Sequence, residues 1–174
     1  MIVILTVIIL FMYPNVTTTC ETIPSIESPI NSLKFLSHNI SSIPLHLDFL
    51  VNQCLDNFGV EFDAICFCET HPTDSVALMY DLPHYNAFFI NNYTYGGELA
   101  IYLHSKFSGS KLHNLSLRSL HTESLFIKVS KPLKFILGTV YRPPNANVHY
   151  FLLCIGSSLE YFVNEKLTCY LMGD

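Results

Sequence analysis

Four polar residues that can act on a phosphate group each lie at, or directly after, the end of an apolar run of strand length. They are Asn39, Glu69, Tyr141 and Asp174. Ligands collect at strand ends in α/β proteins, because rigid strands fix the groups that the following loops expose. Two carboxylates and a carboxamide oxygen predict an all-oxygen site that suits Mg²⁺, with Mn²⁺ as the alternative. The Tyr hydroxyl can donate to a phosphate oxygen as negative charge develops there.

Each of these residues, taken alone, also has a plainer explanation. Glu69 is typical of a loop carboxylate, and Asn39 is typical of an Asx-turn that ends a strand. Tyr141 precedes Arg142 and two prolines, so a core aromatic at a turn fits it as well. The residue types therefore leave both interpretations open.

Hydrophobic periodicity predicts an α/β fold with mixed sheets. Residues 45–58 follow helical spacing, with Pro44 in the first turn and Gly59 as the C-terminal cap. Residues 148–162 predict a second helix. Its expected buried stripe is Phe151, Leu152, Ile155, Leu159 and Phe162. The expected strands are 33–38, 64–68, 87–90, 99–103, 124–129, 135–141 and 167–171.

Six segments along the chain resemble successive motifs of one known family, in the family's order. The segments are SLKFLSHNISSI, FDAICFCETH, YGGELAIYLH, TESLFIKV, FILGTVYRPPNAN and CYLMGD. They are similar to the endonuclease domain of non-LTR retrotransposons, which belongs to the endonuclease/exonuclease/phosphatase superfamily. YRPPN is the most specific of these matches, and together they extend from Ser32 to Asp174.

This resemblance implies a four-layered α/β sandwich of the deoxyribonuclease I type, of which the chain holds the N-terminal part. It also implies Mg²⁺-dependent cleavage of phosphodiester bonds in DNA. By the resemblance, Asn39 and Glu69 help to hold the metal and Tyr141 contacts the scissile phosphate. Asp174 would orient the attacking water or stabilise the transition state.

The resemblance further assigns Arg142 and Asn145 to contacts with the DNA backbone. Two positions depart from the family pattern, since Glu98 stands where a third glycine is usual and Tyr95 where a basic residue is common. The chain also stops at Asp174, before the family's Ser-Asp-His motif. We therefore expect an incomplete domain that is inactive by itself, because loss of an acid/base group costs a factor of about 10² to 10⁴ in rate.

Composition gives the DNA assignment no independent support. The formal net charge is −5, and the nine Lys and Arg are scattered along the sequence. A nonspecific DNA-binding protein usually has a basic face, because phosphate neutralisation supplies much of its affinity. DNA is therefore expected as a partner by resemblance alone, and the oligomeric state is left open. The six cysteines show no metal-ligand spacing and are expected to be small buried apolar residues, with a disulfide as the alternative only if the chain is exported.

Residues 1–31 are predicted to be separate from the domain at 32–174. They begin with an apolar run, MIVILTVIILFMY, which is too short to span a bilayer and has the length of a signal-peptide core. The basic residues that usually precede such a core are missing. Asn-X-Ser/Thr sequons at Asn15, Asn39, Asn92 and Asn114 would be surface glycan sites in an exported chain.

The N-terminal segment and the sequons support a second hypothesis, a secreted glycoprotein or non-catalytic binding module that reuses the scaffold. The two hypotheses conflict at Asn39, because a glycan there would block a catalytic cleft. They also predict different compartments, which are the secretory pathway or the nucleus and cytoplasm.

Overall fold

The computed structural model describes residues 32–55, 61–71, 80–90 and 99–174, together with 5–10; for 5–10 and 53–55 only the backbone is described. This part of the chain has an α/β fold with two β-sheets and two α-helices. None of its helices is long and apolar enough to cross a membrane.

The first sheet contains five strands in the spatial order β1-β2-β3-β5-β4. They are β1 (Leu5–Leu10), β2 (Leu33–Asn39), β3 (Ala64–Cys68), β4 (Tyr85–Phe89) and β5 (Ala100–His104). β1, β2 and β3 are parallel, whereas β5 runs antiparallel to both of its neighbours. Within the predicted N-terminal segment, residues 5–10 are therefore paired with β2 of the domain, and residues 11–31 lie outside the described part.

The second sheet has the order β10-β9-β8-β6, and β7 also pairs with β8. Its strands are β6 (Ser108–Lys111), β7 (Leu117–Arg118), β8 (Glu123–Lys131), β9 (Phe135–Tyr141) and β10 (Cys169–Gly173). β9 and β10 are parallel, and β8 runs antiparallel to β9. The helices are α1 (Ile43–Phe49), which continues as a π-helical segment (Leu50–Leu55), and α2 (Val148–Asn164).

The largest apolar core lies between the two sheets. Phe35 and Ile101 of the first sheet pack there with Leu125 and Leu137 of the second, and all four are fully buried. The next residue of β2, Leu36, belongs to a different core on the other face of its sheet, as the two-residue period of a strand requires. Strands buried on both faces give continuous apolar runs such as AICFC in β3.

Each sheet also packs against a helix on its outer face. Ile43 and Leu47 of α1 lie in the core formed with the first sheet. Ile155 and Phe162 of α2 lie in the core formed with the second sheet, where Phe162 contacts the ring of Phe126 edge-on at 5.2 Å between centroids. Three apolar cores therefore alternate with the two sheets.

The predicted strands are confirmed, two of them (64–68 and 135–141) at both ends. The strands β6 and β7 were not predicted, because SGSK and a two-residue strand carry no apolar alternation. The strand β1 was not predicted either, because its apolar run was interpreted as a signal-peptide core. Pro44 lies in the first turn of α1 as expected, but regular α-helix ends at Phe49, and Gly59 falls outside the described residues.

The predicted stripe of α2 is wrong at two positions. Leu152 is 60% exposed and Leu159 is 36% exposed, whereas Ser158 is buried. The buried face runs through Phe151, Ile155, Ser158 and Phe162, a strict three- and four-residue spacing. Ser158 can occupy that face because its hydroxyl donates to the carbonyl of Cys154 at 3.5 Å. Ser158 is therefore buried in α2, whereas the hydrophobicity pattern predicted that the neighbouring Leu159 would be.

Candidate functional site

The four residues singled out by sequence lie at one edge of the two packed sheets. Asn39 is the last residue of β2, and its register partner Cys68 immediately precedes Glu69. Tyr141 is the last residue of β9, and Asp174 directly follows β10, which pairs in parallel with β9 through Gly173 and Val140. The carboxyl ends of two parallel strand pairs, one from each sheet, therefore meet at this edge.

Two side-chain hydrogen bonds join these residues across the sheets. The Asn39 Nδ2 donates to Asp174 Oδ2 at 3.0 Å. The Tyr141 hydroxyl donates to Glu69 Oε1 at 2.6 Å, the short distance expected when the acceptor is charged. Each bond has one partner in the first sheet and one in the second. We refer to Asn39, Glu69, Tyr141 and Asp174 as the seam cluster.

The backbone around the seam cluster is locally unusual. Glu69 has φ 54° and Ser41 has φ 58°, both in the left-handed region that non-glycine residues seldom adopt. The Ser41 N–H donates to Asn39 Oδ1 at 3.1 Å, which is the Asx-turn expected for Asn39. Gly173 has φ 155°, and a side chain there would overlap the carbonyl of Val140, so glycine before Asp174 is a steric requirement. Such backbone conformations are frequent at functional sites.

Burial and nearby carboxylates disfavour deprotonation of the Tyr141 hydroxyl and the Cys68 thiol. The pKa of Tyr141 is raised above its usual value, first by burial, then by its hydrogen bond to Glu69 and the charges of Glu69, Glu123 and Asp174. Tyr141 therefore remains a hydrogen-bond donor at neutral pH. Burial likewise raises the pKa of the Cys68 thiol to about 12, so this cysteine is a neutral core residue.

Glu123 is a carboxylate of this region that the sequence analysis did not select. It is the first residue of β8, pairs directly with Tyr141, and is only 4% exposed. Its Oε1 lies 3.5 Å from Arg118 Nε. The pairing across strands could not be recognised from TESLFIKV, since the only available signal was a charged residue at the start of an apolar strand. Glu123 adds a third negative side chain beside the Tyr141 hydroxyl.

The two residues assigned to the DNA backbone lie in the loop after β9. The Arg142 N–H donates to the main-chain carbonyl of Asp174 at 3.1 Å, and its guanidinium Nη1 donates to Ala146 O at 3.4 Å. Asn145 is exposed. Arg142 therefore braces the loop beside Asp174, while its remaining guanidinium N–H groups provide further donors.

The donor chemistry of the seam cluster fits a hard divalent cation. Carboxylate oxygens of Glu69 and Asp174 and the carboxamide oxygen of Asn39 are the ligand types that Mg²⁺ prefers. Within the described ranges, no group of three or more His, Cys, Asp or Glu side chains is arranged to hold a metal ion. A cation site here would therefore depend on Asn39 and on water in addition to carboxylates.

The structure gives Asn39 and the other sequons different surroundings. Asn39 Nδ2, the atom that would carry a glycan, donates to Asp174 instead. Asn114 is exposed, and Asn15 and Asn92 lie outside the described residues. Glycosylation of Asn39 would disrupt one of the two bonds that join the sheets. Asn114 therefore meets the steric requirement for a glycan acceptor, and Asn39 does not.

The buried-cysteine prediction is confirmed for Cys66 and Cys68, whereas Cys154 and Cys169 are partly buried. Cys20 and the side chain of Cys54 lie outside the described part of the chain. All four thiols are free. The departures from the family pattern at Tyr95 and Glu98 fall outside the described part of the chain. No protein-family model matches the chain, and no curated protein matches it.

Proposed function

We propose that the seam cluster is the cation- and phosphate-binding part of a metal-dependent phosphodiesterase site that acts on DNA. The class is the endonuclease/exonuclease/phosphatase superfamily in its retrotransposon form, which the ordered motifs resemble. The observation that carries the proposal is the pair of bonds Asn39–Asp174 and Tyr141–Glu69, which gather four residues chosen from sequence across two sheets. A loop carboxylate, an Asx-turn and a core aromatic would not by themselves require these residues to lie together.

The packing is also compatible with the four-layered sandwich that belongs to this proposal. One apolar core lies between the sheets, and one lies between each sheet and its helix. A helix, two sheets and a second helix would form the layers. The strand ends that carry the seam cluster would then open at one end of the two central layers.

The residues of the cluster divide naturally into binding and proton-handling roles. Oxygens of Glu69 and Asn39 would hold the cation, which when bound supplies positive charge to a phosphoryl oxygen and to the leaving oxygen. The Tyr141 hydroxyl has one proton, now donated to Glu69, so contact with a phosphate requires it to rotate toward the ligand. The Asp174 carboxylate can orient a water molecule by accepting its proton in a hydrogen bond.

Cation binding is the first test, because it does not depend on turnover. The Mn²⁺ affinity of the chain is measured by electron paramagnetic resonance, with Glu69→Gln as the site variant. Glu160→Gln is the matched control, since it makes the same change on the exposed surface of α2. We expect Mn²⁺ to bind the wild type and the control, and Glu69→Gln to lose at least tenfold in affinity. Equal affinity in all three proteins would refute the proposed cation site.

Phosphodiester cleavage is tested separately by nicking of supercoiled plasmid in Mg²⁺ or Mn²⁺. Nicking that disappears in Glu69→Gln and persists in Glu160→Gln would establish a competent enzyme. It would also contradict the expectation that these 174 residues are inactive alone. Cation binding that is strengthened by a short oligonucleotide, without nicking, would support both the proposed site and that expectation. Failure to bind either ligand would exclude the proposed function.

A further inference from the structure

A hairpin tip next to the seam cluster presents side chains that the proposed site does not use. β7 pairs with β8, and residues 119–122 connect them. The Ser119 side chain closes this tip by accepting from the N–H groups of His121 and Thr122. Leu120, at its apex, is 82% exposed, the largest exposed fraction among the large apolar residues described. A well-ordered turn therefore holds an apolar side chain out in solvent.

The same tip is attached to the start of α2. The Asn147 N–H donates to His121 Nδ1 at 3.2 Å. The rings of His121 and Tyr150 are stacked, with centroids 5.3 Å apart and planes 11° from parallel. Tyr150 is nevertheless 55% exposed. The His149 ring also lies edge-on to Tyr150, with centroids 6.1 Å apart. We call Leu120, His121 and Tyr150 the aromatic rim, a surface on which more than half of the tyrosine is accessible to a ligand.

The hydrogen bond from the Asn147 N–H also determines which nitrogen of the neutral His121 ring carries the proton. Because Nδ1 accepts, the neutral ring carries its proton on Nε2. The ring can therefore donate a hydrogen bond from Nε2 without being charged. Such a donor suits a phosphate or a base edge equally, which is useful next to a site that already contains several carboxylates.

Topology places the aromatic rim beside the seam cluster. β8 begins at Glu123, which pairs with Tyr141. His121 precedes Glu123 by two residues, so its Cα lies within roughly 13 Å of that of Tyr141. At about 3.4 Å per stacked nucleotide, this distance corresponds to roughly four nucleotides or fewer. A nucleotide a few positions away from a phosphate at Tyr141 is therefore within reach of the rim.

The arginines of the chain are concentrated at this edge, beside the carboxylates of Glu69, Glu123 and Asp174. The chain contains two arginines, Arg118 and Arg142, and both lie here, at the base of the hairpin and in the loop after β9. The first turn of α2 carries no acidic residue. Arg118 Nε lies 3.5 Å from Glu123 Oε1 and its side chain is only 11% exposed, so the partly buried Arg142 is the arginine that a DNA phosphate could reach.

We propose that the aromatic rim binds an unpaired nucleotide of a DNA strand, with the base stacked on Tyr150. This inference deepens the proposed function and rests on it for the position of the phosphodiester. Aromatic side chains bind bases of any sequence in this way, because every base has a π-face. Leu120 would cover the edge of the same base or separate it from its neighbour, as apolar side chains do in proteins that unstack DNA. The rim would thus favour single-stranded or distorted DNA over regular duplex.

The test is fluorescence anisotropy with a short dye-labelled single-stranded oligodeoxynucleotide and its duplex, both in EDTA. Removing divalent cations separates stacking from the seam cluster. We expect Tyr150→Ala to weaken single-strand binding about tenfold, and Tyr150→Phe to retain it because the ring is kept. Tyr161→Ala is the matched control, since it removes an exposed tyrosine from the same helix. The salt dependence should not change in Tyr150→Ala, because stacking releases no counterions.

Several results would overturn the proposal. These are no DNA binding by the wild type, an equal loss in Tyr161→Ala, no rescue by Tyr150→Phe, or tighter binding to the duplex than to the single strand. The outcome is distinguishable from failure of the proposed function, which is measured by Mn²⁺ affinity and its dependence on Glu69. If Tyr150→Ala binds the single strand as the wild type does while Mn²⁺ binding depends on Glu69, only the proposed stacking surface is refuted. If Tyr150→Ala weakens single-strand binding but Mn²⁺ binding does not depend on Glu69, the proposed cation site is refuted and the DNA-binding surface stands.

Discussion

The hydrogen bond from Tyr141 to Glu69 allows a quantitative test of whether the seam cluster stabilises the packed sheets. Tyr141→Phe removes the donor and keeps the buried ring. Hydrogen bonds to charged groups contribute about 1.5–3 kcal/mol to stability. Because Glu69 is only partly buried, water can replace part of that bond. We therefore expect the free energy of unfolding to fall by about 1–2 kcal/mol, near the low end of that range.

The assay is thermal and urea unfolding followed by circular dichroism. A loss of this size should lower Tm by roughly 3–6 °C in a domain of this length. Tyr161→Phe removes the same hydroxyl from an exposed ring and should change stability by less than about 0.5 kcal/mol. The Glu69→Ala and Tyr141→Phe/Glu69→Ala variants complete a double-mutant cycle, because alanine, unlike glutamine, leaves no oxygen to accept from Tyr141.

The cycle can refute the reasoning directly. A coupling energy of about 1 kcal/mol or more between positions 69 and 141 is expected, because the bond spans the two sheets. If Tyr141→Phe were neutral and the coupling energy were zero, the short bond would contribute nothing to stability. If Tyr141→Phe were stabilising, the cost of burying the hydroxyl would exceed the gain from its bond.

Three further predictions follow from other parts of the fold. Gly138→Ala should destabilise the protein by about 1–3 kcal/mol, because a Cβ there would overlap the Phe126 ring. Gly156→Ala on α2 meets nothing within 4 Å and should stabilise the protein by about 0.5–1 kcal/mol. Urea unfolding measures both variants, and equal effects would contradict the packing described for β9. Burial raises the pKa of Tyr85 from 10.0 to about 12, so the contribution of Tyr85 to stability is fully present below pH 10 and is lost as pH rises toward 12. The free energy of unfolding of Tyr85→Phe, measured by urea titration, should therefore fall less steeply with alkaline pH than that of the wild type. Identical pH slopes would argue against the raised pKa. Maleimide should label the partly buried Cys154 in the native protein and should label the buried Cys66 only after urea unfolds the protein. Peptide mass spectrometry locates the label, and rapid labelling of Cys66 in the native protein would show that the sheets open easily.

Local sequence patterns predicted the elements that are buried on both faces. The runs at 64–68 and 135–141 are mostly apolar and fully buried because each strand faces the inter-sheet core on one side and a helix on the other. The location of the four seam-cluster residues at strand ends was predictable for the same reason, since polar residues stop such runs abruptly. Composition and period carry this information without reference to tertiary structure.

Contacts between distant segments could not be predicted in this way. Asn39 and Asp174 are 135 residues apart, and nothing in either segment specifies the other as its partner. The proximity of Glu123 to Tyr141 depends on the register of β8 against β9, which neither strand specifies alone. Ser158 is buried in α2 because its hydroxyl bonds within the helix, an effect that a hydrophobicity pattern cannot express.

The crossing of both seam bonds from one sheet to the other has a consequence for dynamics. Any sliding of one sheet over the other would separate Asn39 from Asp174 and Tyr141 from Glu69 at the same time. A ligand that binds only the assembled cluster must therefore suppress that shear motion by mass action. Its signature would be slower hydrogen exchange in the amides of β3 and β9 together, far beyond the residues that the ligand touches.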